Sequence, residues 1–147
     1  MRVAFVKKGG TFFAKLIRLW TWGAYSHAEI VFHDGSMFSS DEADGGSRFI
    51  PGPKPGIEYD YLDITTTAEM NQRVLDFCQR ENGCKYDMRG IAFSFLPVPI
   101  GLQSADRWFC SEVCVAALQQ IGYMVGHTPS SVSPNALYKL LSKELSV

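Results

Sequence analysis

Residues 26–40 read SHAEIVFHDGSMFSS. The run from Ser26 to Phe32 alternates and is rich in strand formers. His33-Asp34-Gly35 supplies a turn, and Ser36 to Ser40 a return strand, so the stretch predicts a β-hairpin. Upstream, RVAFV (2–6) reads as a short buried strand ended by Gly9-Gly10. Between them, TFFAKLIRLWTWG (11–23) places Phe12, Phe13, Leu16, Ile17 and Trp20 on one helical face, with Gly23 as the stop. Downstream, DEADGG (41–46) is a polar connection and SRFI (47–50) a short strand. PGPKPG (51–56) excludes a central strand, and IEYDYLDI (57–64) alternates as a strand again. Thr66-x-x-Glu69 forms a capping box for a helix to about Asn82, ended by Gly83. Residues 91–101, IAFSFLPVPIG, are broken by Pro97 and Pro99 and read as a short helix or turn followed by a loop. SEVCVAALQQI (111–121) is a helix stopped by Gly122, and Ser133-Pro134 opens a last helix through about Lys143. Strands followed by helices predict an α+β fold with an antiparallel sheet packed against helices.

The chain has 147 residues, enough for a single domain over 1–147 and too few for two comfortable ones. A net charge of -1 gives no case for nucleic acid as the partner. Lys7, Lys8, Lys15 and Arg18 make a local basic patch of solvated-face type. No apolar run reaches bilayer length, so no stable membrane insertion is expected. MRVAFVKKGG lacks the apolar core of a signal peptide, which points to a cytoplasmic protein with its four cysteines reduced. No cofactor or metal is expected. DEADGG does not have EF-hand spacing. Cys110 and Cys114 are spaced to chelate, but Cys78 and Cys84 lack the tight pairing of zinc ribbons.

The chemistry centres on Trp108–Leu118, WFCSEVCVAAL. Cys114 lies in the apolar stripe of the helix with Val113, Ala117 and Leu118 and reads as core. Cys110 falls at the first turn, where unpaired amides and the helix dipole favour a thiolate. Those amides also suit a developing oxyanion, and Trp108-Phe109 shields one side from water. A nucleophile needs a base. His33 and His127 sit in loops and read as solvated, whereas His27 opens a strand, with Glu29 on the same face. On the neighbouring strand, Ser39 and Ser40 fall near His27 in either register. Two readings stand at this point: a Cys–His hydrolase, or a core cysteine with a satisfied surface histidine.

YSHAEIVF (25–32), CKYDMRG (84–90) and WFCSEVCVAAL (108–118) together carry a resemblance. The chain resembles the circularly permuted branch of the NlpC-type papain-like hydrolases, which includes the YiiX-like amidases and the lecithin:retinol acyltransferase group. It is also similar to small proteins encoded by bacterial viruses and prophages. In the permuted branch the histidine precedes the cysteine helix, as here. The resemblance covers roughly residues 2–140. It implies a permuted papain-like fold with Cys110 as nucleophile and His27 as general base. The third polar residue would lie on the following strand, where relatives usually carry His or Glu. This chain offers Ser39 there, with Ser40 and Glu42 as register alternatives and Glu29 beside them. Tyr86 matches a tyrosine that lines the site in relatives. Tyr86, Trp108, Ser111 and Ser40 are the expected substrate-binding residues. The implied activity is a thiol hydrolase or acyltransferase acting on an amide, ester or thioester, with a small-molecule, peptide or acyl substrate. The alternative is a structural or adaptor protein of a phage particle that keeps the fold without the activity.

Overall fold

In a computed structural model, the described residues are 1–8, 23–87 and 107–146. The helix expected over 11–22 and the proline-broken segment 91–101 lie outside them. The hairpin consists of β2 (His27–Val31) and β3 (Met37–Asp41). Its turn closes through Phe32 N–H to Ser36 O at 2.9 Å and Gly35 N–H to Phe32 O at 3.1 Å. Gly35 sits at φ 87°, a backbone that L side chains rarely adopt. The pairing sets Ile30 opposite Phe38 and Val31 opposite Met37.

Around this hairpin the sheet grows in both directions. β1 (Arg2–Lys8) pairs with β2, placing Val6 opposite His27, and with β5 (Glu58–Asp63) on its other side. β4 (Gly46–Ile50) continues from β3, with Ser39 opposite Arg48. The two-residue strands β6 (Lys85–Tyr86) and β7 (Arg107–Trp108) complete the order β5-β1-β2-β3-β4-β6-β7. Every pairing is antiparallel except β6 with β7. The proline-rich loop 51–57 therefore carries the chain from β4 past three strands to β5.

Three α-helices occur among the described residues: α1 (Ala68–Glu81), α2 (Cys110–Gln119) and α3 (Pro134–Leu145). The cap of α1 is one residue later than the capping box placed it. Thr67, not Thr66, accepts the Met70 N–H, at 3.2 Å. Thr66 Oγ1 instead bonds Asn71, and Glu69 pairs with Arg73 along the helix. The Ser133 cap of α3 is as read, accepting from Ala136 N–H at 3.2 Å.

Strand alternation sorts the core onto two faces. Val3, Phe5, Ala28, Ile30 and Phe38 pack with the buried residues of the helices. Ala4, Val31 and Met37 form a smaller cluster with Ile50 and Tyr59. The helix α2 is buried from Cys110 through Leu118, so its expected apolar stripe widens to the whole circumference. The cause is its setting: β2, β3, α1, α3 and a 3-10 turn at Pro129–Ser131 all pack against it. The protein is thus α+β, with a mostly antiparallel seven-stranded sheet and helices packed on it.

Candidate active site

The site is assembled where β2 begins and α2 begins. Residues two apart in a strand project to one face, and His27 and Glu29 use that geometry. His27 Nε2 lies 2.9 Å from Glu29 Oε1. The Glu29 side chain is 1% exposed, and that of His27 is 16% exposed. Cys110 is the first residue of α2 and is itself buried. Its charge acts on the His27 ring, which puts the thiol within electrostatic reach of the imidazole. Nε2 is occupied by Glu29. Burial works against a charged imidazole, but Cys110 and Glu29 outweigh it and push His27 up to about 10. Burial likewise opposes the Glu29 carboxylate, yet His27 and Arg48 hold it below the usual range.

The start of α2 adds backbone donors. Its first amides have no intrahelical acceptors. Glu112 Oε2 accepts the Phe109 N–H at 3.2 Å, which fixes the residue just ahead of Cys110. Tyr86 belongs to the same neighbourhood. Its ring lies 6.0 Å from that of Phe109. Burial, followed by the charges of Cys110 and Asp41, raises its phenol far above the ordinary value.

The serines are engaged elsewhere. Regular β2–β3 pairing stops at Ile30 and Phe38, and Ser39 Oγ donates to Ala28 O at 2.6 Å rather than to the imidazole. Ser40 Oγ donates to Trp108 O at 2.7 Å, tying β3 to β7. Ser111 Oγ donates to Val132 O at 2.5 Å, tying α2 to the segment before α3. Glu42 is exposed in the β3–β4 turn. Trp108, expected to line the substrate site, points its indole at α1: Nε1 donates to Glu81 Oε2 at 2.8 Å and the ring packs edge-on against Phe77. These side chains brace the site; the carboxylate at the imidazole is Glu29.

Two residues were not singled out from the sequence. Arg48 on β4 reaches Glu29 Oε1 at 3.2 Å. The antiparallel register that sets it opposite Ser39 carries a cation to the Glu29 side, and the sequence of β4 alone does not reveal that register. Asn135, in the segment SPNAL, clamps the backbone of Tyr25 just before β2. Its Oδ1 accepts the Tyr25 N–H at 2.9 Å and its Nδ2 donates to Tyr25 O at 2.8 Å.

The remaining candidates separate cleanly. His33 and His127 are exposed. Cys114 and Cys78 are buried thiols, and burial raises both well above the ordinary value, so they are poor ligands for a cation. Among the described residues no group of three or more His, Cys, Asp or Glu is arranged to hold a metal ion. Among the same residues no helix is long and apolar enough to cross a membrane. No family model matches the chain, and no curated protein matches it.

Proposed function

We propose that this protein is a thiol hydrolase or acyltransferase of the permuted papain-like kind, in which Cys110 is the nucleophile, His27 the general base and Glu29 the residue that orients the imidazole. One observation carries the reading: a buried carboxylate bonds the imidazole, and a helix-start cysteine acts electrostatically on the same ring. The order of histidine strand before cysteine helix, on a mostly antiparallel sheet, supports the permuted arrangement.

The Cys110 thiolate bonds to the carbonyl carbon of an amide, ester or thioester. The first amides of α2 meet the oxyanion that develops. As the tetrahedral adduct collapses, the imidazolium of His27 gives its proton to the leaving group, and a thioester remains on Cys110. Water, losing a proton to His27, attacks that thioester and releases the acid. A second nucleophile in place of water gives group transfer. Glu29 keeps the ring facing the sulfur and stabilises its charged form. A small-molecule, peptide or acyl substrate suits this course, which needs no cofactor.

The test is acyl-enzyme formation with p-nitrophenyl acetate, read by mass spectrometry. The expected product is one acetyl group on Cys110, absent in Cys110→Ala. His27→Ala slows its formation by about 100-fold or more. Acetylation that persists in Cys110→Ala, or that ignores His27→Ala, overturns the assignment and favours a fold-retaining adaptor protein.

A further inference from the structure

We infer that Arg48 is a positioning residue for this site: held by three carboxylates and a carbonyl, it anchors the Glu29 carboxylate on His27. The inference rests on the Cys110–His27–Glu29 reading and extends it by one link.

The geometry is specific. The Arg48 guanidinium uses its whole fork. Nε donates to Asp44 Oδ2 at 2.6 Å, Nη1 to Ser39 O at 3.2 Å, and Nη2 to Glu29 Oε1 at 3.2 Å and Asp41 Oδ2 at 3.3 Å. Its side chain is 14% exposed. Lys54, from the proline-rich loop, closes the outer rim by reaching Asp41 at 3.1 Å and Asp44 at 2.9 Å. Three segments of chain, β2, β3 and the β3–β4 turn, thus fix one cation.

Glu29 depends on that cation. Both of its bonds fall on Oε1, from His27 and Arg48, while Oε2 is buried without a partner. A carboxylate so enclosed must be compensated or neutralised. The groups facing it can be named element by element: His27 on its own strand, Arg48 on β4, Tyr59 on β5 and Cys114 on α2. Asp41 on β3 acts on the His27 ring. Of the groups acting directly on the carboxylate, only Arg48 keeps a positive charge at every working pH. Without it, Glu29 takes up a proton at higher pH and His27 loses its anionic partner.

The experiment is the pH profile of Cys110 alkylation by iodoacetamide in the full chain, for the unmodified protein, His27→Ala, Arg48→Met and Arg48→Lys. In Arg48→Met the acid limb of the profile is expected to move up by about one pH unit or more, a roughly tenfold rate loss on that limb. Arg48→Lys, keeping the charge but not the fork, is expected to recover part of the displacement. A residue that only braces the fold would lower yield or stability and leave the midpoint in place, so an unmoved midpoint in Arg48→Met overturns the inference. Should Arg48→Met not fold, Asp44→Ala carries the test, because it removes the acceptor that holds Nε and lies in an exposed turn. A smaller displacement in the same direction supports the inference, and a superimposable profile overturns it. If the unmodified protein and His27→Ala share one profile, it is the underlying Cys–His reading that fails.

Discussion

A carboxylate as enclosed as Glu29 persists only beside cations, and His27 and Arg48 both bond its Oε1. The pH dependence of stability follows from the signs. His27 is raised from the ordinary imidazole value to about 10 in the folded protein. Its contribution is therefore complete below about pH 6.5 and is lost as pH climbs through about 10. Glu29 is held below the usual carboxylate range. Its contribution is present above about pH 4.3 and is lost as pH falls through its depressed value. Urea midpoints between pH 6 and 10.5 should fall in the unmodified protein and stay flatter in His27→Gln; equal slopes would refute the charged ring. The pairing of His27 with Glu29 was legible because strand alternation fixes it locally. The partner role given to Ser39 was not, because the β2–β3 ladder stops at Ile30 and Phe38 and the hydroxyl takes Ala28 O instead. Arg48 stayed hidden for a related reason: its place depends on which β4 residue faces which β3 residue, and the sequence of one strand does not state its neighbour's register.

At the scale of elements, the strand that carries His27 is held from the far end of the chain. Asn135, second residue of α3, brackets Tyr25 with two buried hydrogen bonds. Gly23 makes room for it, since a Cβ there would lie 2.0 Å from Asn135 Cγ. Tyr25 is held further by its hydroxyl to Asp60 at 2.7 Å and by contact with the Tyr138 ring at 4.5 Å. Asn135→Ala leaves a buried N–H and C=O without these partners and should cost about 2–4 kcal/mol, measured by denaturant unfolding. A loss under about 0.5 kcal/mol would show that the clamp contributes nothing. Element types were readable because each has local cause: alternation in 26–32, the glycine turn at 35, the Ser133-Pro134 opening of α3. The α1 cap was misplaced by one residue because adjacent threonines offer the same hydroxyl, and only the backbone at Thr67 takes the capping conformation. The clamp itself was beyond reading, since nothing near Asn135 in sequence points to Tyr25.

For the molecule as a whole, α2 is the keystone: strands, helices and the 3-10 turn all lean on it, and Cys110 is its first residue. Leu118, fully enclosed within it, is expected to lose about 2–5 kcal/mol on replacement by Ala, with the slope of unfolding against urea unchanged. If that substitution is neutral, the helix is not packed as described. His27 and Cys110 belong to segments far apart in sequence that meet because α2 packs directly on β2. The order of the segments also has a consequence in time. A ribosome delivers the imidazole at position 27 well before the sulfur at position 110. The sulfur meets its partner only once the cysteine helix has cleared the exit tunnel and docked. Vectorial synthesis thus makes the meeting of these two segments a late event in the life of the nascent polypeptide.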